Sequence, residues 1–135
     1  MRAEKRLTVT INRPLDEVFS FIVDPRNTPK WISEIVHEEV TELPLKVGAV
    51  YLPQGEGGVS LGRYPVTQYE HNKTFTYTKE GAKYFAQYTF SPIDETTTKF
   101  DYYAWDEESD LNNDPVTEQA LQKLKVALEN GENSL

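Results

Sequence analysis

The chain carries two histidines, His37 and His71, and no cysteine. Thiol nucleophiles, disulfides and Cys/His zinc sets are therefore outside its chemistry. His71 lies in "EHNK", a turn signal that places it in solvent. His37 lies in a strand-like run, in phase with Ile35 and Glu39. It would serve as a base if that phase faces inward, although an exposed strand histidine is the commoner arrangement. Glu38 and Glu39 point to opposite faces of such a strand and cannot act together. "WDEESD" lacks the glycine and spacing of a calcium loop, and "GEGGVSLG" lacks the Lys-Ser/Thr ending of a phosphate loop and precedes a strand. No catalytic set is assembled, and no metal or cofactor is expected.

The aromatic residues carry more. Eight tyrosines in 135 residues exceed the needs of dry packing, because each buried phenol requires a hydrogen-bond partner. Tyr77, Tyr84, Tyr88 and Tyr102 share the apolar phase of their strands with Phe75, Phe90 and Phe100. Together with Tyr51 they are the candidate walls of a ligand cavity. The plainer alternative puts several of them at strand ends with hydroxyls in water. Trp31, one of two tryptophans, ends the irregular stretch "DPRNTPKW". It either plugs the core or forms cavity wall that stacks on a ligand. Arg63 shares a phase with Val59 and Leu61, which would let it meet a carboxylate or enolate. Pro65 permits a bulge that switches faces, so inward and outward placements both stay open.

The elements that position these residues follow from periodicity. Leu7, Val9 and Ile11 alternate over Arg6 to Asn12, a half-buried strand. Leu15, Val18, Phe19 and Ile22 then repeat as a helix, with Pro14 at its first position and Asp24 at its end before Pro25. The connector holds at most one short turn, at about Thr28 to Ile32. Strands follow at about Glu34 to Thr41, Ala49 to Pro53, Val59 to Tyr69, Thr74 to Lys79, Tyr84 to Ser91 and Thr97 to Trp105. A last helix of about 16 residues is expected with Asp114 as N-cap, Pro115 at its first position and Leu121, Leu124 and Leu128 on one stripe. Such a helix can cover a curled antiparallel sheet, an α+β layout.

A net charge of −8 repels phosphate backbones, so nucleic acid is not an expected partner. No apolar run approaches the roughly 20 residues that span a bilayer, and the start has no apolar secretory segment. The expectation is one cytoplasmic domain over residues 1–135, a monomer or weak dimer without stable membrane insertion, frayed from about residue 131.

"INRPLDEVFSFIVDPRNTPKWISEIVHEEV", "VGAVY" and "LQKLKVALE" resemble the SRPBCC superfamily, which joins START lipid-transfer domains, polyketide cyclase/dehydrase-like proteins and the birch-pollen-allergen family. The resemblance covers nearly the whole chain. It implies the helix-grip fold: a curved seven-stranded antiparallel sheet around a long C-terminal helix, two short helices after the first strand, and a cavity between sheet and helix for a small hydrophobic molecule. Three functions are carried forward. The first is binding of an aromatic, polyketide-like or lipid-like molecule at Trp31, Tyr51, Arg63, Tyr77, Tyr84, Tyr88 and Tyr102. The second is cyclase/dehydratase-type catalysis on such a molecule, and the third is a chaperone-activator-like interaction module. Scarcity of convergent acids and bases favours binding over catalysis.

Overall fold

The structure is a computed structural model that describes residues 2–131. Strand β1, Ala3–Ile11, buries Val9 and Ile11 and turns Thr8 and Thr10 outward. It starts earlier than its periodicity suggested. Helix α1, Leu15–Val23, buries Val18, Phe19 and Ile22, and Asp16 and Glu17 sit at its positive end. Pro14 is its N-cap rather than its first residue. The chain leaves the helix at Asp24, as the clash with Pro25 requires. The connector then forms a 3-10 helix, Pro25–Lys30, earlier and longer than the single turn expected. Asp24 caps it by accepting the Arg26 N–H at 3.0 Å.

The remaining elements are β2 (His37–Val40), β3 (Val50–Gln54), β4 (Tyr64–Glu70), β5 (Thr74–Thr78), β6 (Tyr84–Asp94), β7 (Thr97–Asp106) and α2 (Glu118–Glu129). The strands lie in the order β1-β7-β6-β5-β4-β3-β2, each pair antiparallel. They curl into a half-barrel with α2 against it, the α+β helix-grip arrangement.

Several boundaries differ from the sequence reading, each for a local reason. β2 spans only His37–Val40, so Ile35 belongs to the preceding loop. β4 begins at Tyr64 rather than Val59, because Gly62 at φ 117° breaks the alternation. A register shift follows between Val66 and Gln68, just past Pro65. α2 is a 12-residue helix, about 18 Å long, capped by Thr117, whose Oγ1 accepts the Ala120 N–H at 3.2 Å. Asp114 and Pro115 therefore precede the helix and are not its cap and first residue. The expected fraying falls, beyond Gly131, outside the described residues.

Leu121, Leu124 and Leu128 of α2 bury fully with Ile11, Phe19, Phe75 and Phe100. Each leucine contributes roughly 1.5–3 kcal/mol of burial. Both ends of the α2 segment are tied to β1. Lys125 Nζ donates to the Thr10 carbonyl at 2.7 Å, and Glu129 accepts the Asn12 N–H at 2.7 Å. Before the helix, Lys5 of β1 pairs with Asp114 at 2.9 Å and donates to the Val116 carbonyl. Helix α2 is thus held beside β1, and the connector and the β7–α2 loop close over the rest of the concave face.

Candidate functional site

Under that cover lies a cavity of about 700 Å³. Its walls come from α1 (Ile22), the connector and the loop after it (Thr28, Trp31, Ile35), β2 (Glu38), β3 (Tyr51), β4 (Tyr64), β5 (Phe75, Tyr77), β6 (Tyr84, Tyr88) and the β7–α2 loop (Leu111, Asp114, Val116). No residue of α2 lines it. The expected position between sheet and C-terminal helix is corrected accordingly: the apolar stripe of α2 packs on the sheet, and the connector and the β7–α2 loop border a cavity that is partly open to solvent.

The tyrosines satisfy one another. Tyr77 and Tyr88 hydroxyls meet at 3.0 Å, and Tyr84 and Tyr102 hydroxyls at 2.9 Å. Tyr102 donates to Asp114 Oδ2 at 2.8 Å, while Tyr84 lies 3.2 Å from Oδ1. Two phenol protons cannot fill all three contacts of Tyr84, Tyr102 and Asp114. The two shorter contacts form a chain, Tyr84 to Tyr102 to Asp114, that ends on a carboxylate whose other partner is Lys5. Tyr51 donates to the Val23 carbonyl at 2.7 Å and Tyr64 to the Leu61 carbonyl at 3.1 Å. Burial pushes the Tyr51, Tyr77, Tyr84, Tyr88 and Tyr102 phenols well above their ordinary range, so they stay protonated.

Two polar groups in the walls are less well served. The indole N–H of Trp31 is buried with no acceptor among the described residues, its ring packed edge-on to Tyr88 and Phe100 at 6.3 Å each. Glu38 accepts one hydrogen bond, from Thr28 Oγ1 at 2.5 Å. Burial raises its carboxyl to about 7, against the pull of the Thr28 hydroxyl and the charge of His37.

Trp31, Tyr51, Tyr77, Tyr84 and Tyr88 are brought together at the cavity. Tyr102 stands behind that wall, holding Tyr84 and Asp114. Arg63 is elsewhere: its Nε pairs with Glu80 at 3.0 Å, both side chains about half exposed. The phase that would have turned it inward does not exist, because Gly62 interrupts it. His37 faces outward, 3.1 Å from Glu39, and His71 is exposed beside Tyr69. The sequence reading missed Glu38, Asp114 and Tyr64. Val40, partly buried in phase with Glu38, was the available signal for Glu38.

Residues 2–130 match the family described as "Polyketide cyclase / dehydrase and lipid transport". The chain belongs to that family. Among solved structures, the protein XoxI of Bacillus cereus is 14% identical with a TM-score of 0.73, over 96% of this chain and 98% of that one. A protein of Nitrosospira multiformis is 16% identical with a TM-score of 0.71, over 96% and 99%. A conserved protein of unknown function from Enterococcus faecalis is 13% identical with a TM-score of 0.72, over 94% of this chain and 71% of that one. At such identities these likenesses speak for the fold alone. No curated protein matches the sequence. Among the described residues no helix is long and apolar enough to cross a membrane.

Proposed function

We propose that this chain acts as a single ligand-binding domain that takes a small molecule with an apolar, aromatic-compatible body into the cavity beneath the connector and the β7–α2 loop. The observation that carries the reading is the cavity itself: about 700 Å³, walled by rings whose hydroxyls are engaged with protein partners. Pockets for small molecules fall in the range of roughly 300–1,000 Å³, apolar with a few placed polar groups. Rings with satisfied hydroxyls present faces and edges, which suits an apolar guest. The family description, with its cyclase/dehydrase and lipid-transport activities, supports the same reading.

Ligand binding raises stability by mass action, about 2.7 kcal/mol at 100 times the dissociation constant. A set of aromatic and acyl compounds should therefore contain members that raise the melting temperature by several degrees in a dose-dependent way. A set without any shift, and without perturbation of the Trp31 indole N–H resonance, would overturn the proposal.

A second reading rests on Glu38. A carboxyl that titrates at about 7 inside a cavity is poised as a general base or acid, as cyclase/dehydratase-type chemistry would need. Mass spectrometry of a bound ligand over time separates the two. Unchanged ligand supports a carrier; a product that forms with the wild type and falls about 100-fold with Glu38→Gln supports an enzyme.

A further inference from the structure

We infer that the cavity selects an organic cation: a molecule with an apolar body and a protonated nitrogen that seats on the Glu38 carboxylate beside the aromatic wall. This rests on the cavity-binding reading and narrows it to a ligand class.

The first argument compares the carboxylates that line the cavity. Asp114 is occupied by Lys5 and by the tyrosine chain. Asp106 accepts the N–H groups of Glu108 and Ser109, each at 2.9 Å, and Asp110 accepts that of Asn112 at 3.0 Å. Those three hold the wall together, and Glu34, the remaining carboxylate of the lining, is exposed to solvent. Glu38 has only the Thr28 hydroxyl, although an ionised carboxylate offers about four acceptor positions. Among the described residues no lysine or arginine forms an ion pair with it, and the neighbouring His37 turns its ring outward to Glu39. An under-partnered carboxylate in a partly dry site costs free energy that a cation would recover.

The second argument is the surface beside it. Glu38 pairs across to Pro53 and Val40 to Tyr51, so Glu38 and Tyr51 are diagonal neighbours on the inner face. From Tyr51 the rings run on without a break, to Tyr77 at 6.4 Å and from there to Tyr88 at 5.6 Å. Ring faces attract ammonium groups, and more strongly where water is excluded. Trp31, whose buried indole N–H has no acceptor, stands against Tyr88 on the same wall. Lys79 is the cationic side chain in the lining, and its Nζ lies 5.9 Å from the Tyr64 ring. Arg63, the group that would have welcomed an anion, is outside.

The test uses three probes of one shape: 2-(2-naphthyl)ethylammonium, 2-(2-naphthyl)ethanol and 2-naphthylacetate, titrated at pH 8 and low salt. The readout is the Trp31 indole N–H resonance in a Trp105→Phe background, which leaves a single indole. The ammonium should bind at least tenfold more tightly than the alcohol, and the carboxylate more weakly than either. Glu38→Gln, which keeps the Thr28 hydrogen bond, should abolish the ammonium preference, bringing the ammonium to within about twofold of the alcohol. Should that variant fold poorly, the wild type supplies the same answer, since the preference should shrink between pH 8 and pH 5.5 as Glu38 takes up a proton.

Several groups surround Glu38 in that measurement. Tyr51, Tyr64 and Tyr88 face it and stay protonated throughout, Thr28 does not titrate, and His37→Ala and Glu34→Gln controls test the charged neighbours of Glu38 on the chain and in the lining. Equal binding of ammonium and alcohol, tighter binding of the carboxylate, or a preference that survives Glu38→Gln would overturn the inference while leaving the cavity-binding reading intact. Failure of all three probes to bind would overturn both.

Discussion

Asp114 and Glu38 both place a carboxylate in the cavity wall, one beside edge strand β1 and the other on edge strand β2. Asp114, its side chain 1% exposed, meets the Lys5 ammonium and the Tyr102 hydroxyl, with Tyr84 close by. Glu38 meets one threonine hydroxyl. The same functional group thus does opposite work on the two sides. Asp114 fastens the β7–α2 loop to β1 and positions two tyrosines, so its charge is consumed by architecture. Glu38 holds nothing of comparable extent in place, so its charge is available to whatever enters.

The largest effect should come from breaking the satisfied side. Asp114→Ala strands the Lys5 ammonium in a mostly buried position and removes the acceptor at the end of the tyrosine chain. Removing one partner of a buried charge pair typically costs about 3–5 kcal/mol. Urea unfolding at pH 7 should show a loss of that order. Replacing Lys5 and Asp114 together, as Lys5→Met with Asp114→Leu, should cost distinctly less than the sum of the single changes, because neither charge is then left alone. Additivity would show that the two do not act as a pair.

The Glu38 side should respond to pH instead, and by less. Its folded carboxyl titrates at about 7, above the ordinary 4.5 of a glutamate. The stability it contributes is therefore complete below about pH 4.5 and is lost as the pH rises through about 7. Relative to the wild type, Glu38→Gln should gain roughly 2 kcal/mol between pH 4.5 and pH 8, the full shift being discounted for water in the cavity. Asp24 and Glu129 are shifted downward and make the opposite contribution at lower pH, but they are common to both proteins and cancel in the difference. Parallel stability curves for the two proteins would show that Glu38 is well solvated.

The same contrast explains what the sequence could tell. Tyr77, Tyr84 and Tyr88 were legible as inward residues because β5 and β6 are regular strands, five and 11 residues long, in which alternation identifies the faces. The leucine stripe of α2 was legible for the analogous reason. Glu38 was not, because β2 has four residues and the apolar anchor chosen for its phase, Ile35, lies in the loop before it. A one-residue error of phase exchanges every inward side chain for an outward one. That single exchange made His37 the candidate base and hid Glu38. Asp114 was concealed differently. Asp-Pro before an apolar run is a sound helix-start signal, yet Thr117 with Glu118 offers a start as well, and tertiary contacts to Lys5 and Tyr102 decided between them.

The smallest effect belongs to Arg63, and it sharpens the contrast because an inward placement, one of the two left open, would have made this residue the anion receptor of the site. The Gly62 backbone at φ 117° ends the alternation that would have carried Arg63 inward, and the guanidinium pairs with Glu80 on the surface. Exposed ion pairs contribute about 0–1 kcal/mol. Arg63→Ala should therefore change unfolding stability by less than about 1 kcal/mol and leave the affinities for the naphthyl ammonium, alcohol and carboxylate probes within about twofold of wild type. Long-range attraction from a surface charge is screened within about 10 Å at 0.1 M salt, so any residual effect on the carboxylate should vanish as salt is raised. A carboxylate affinity that drops tenfold in Arg63→Ala and does not respond to salt would place the guanidinium in the cavity in solution. Glu38 would then share the site with a cation, and its charge would no longer set the choice of ligand.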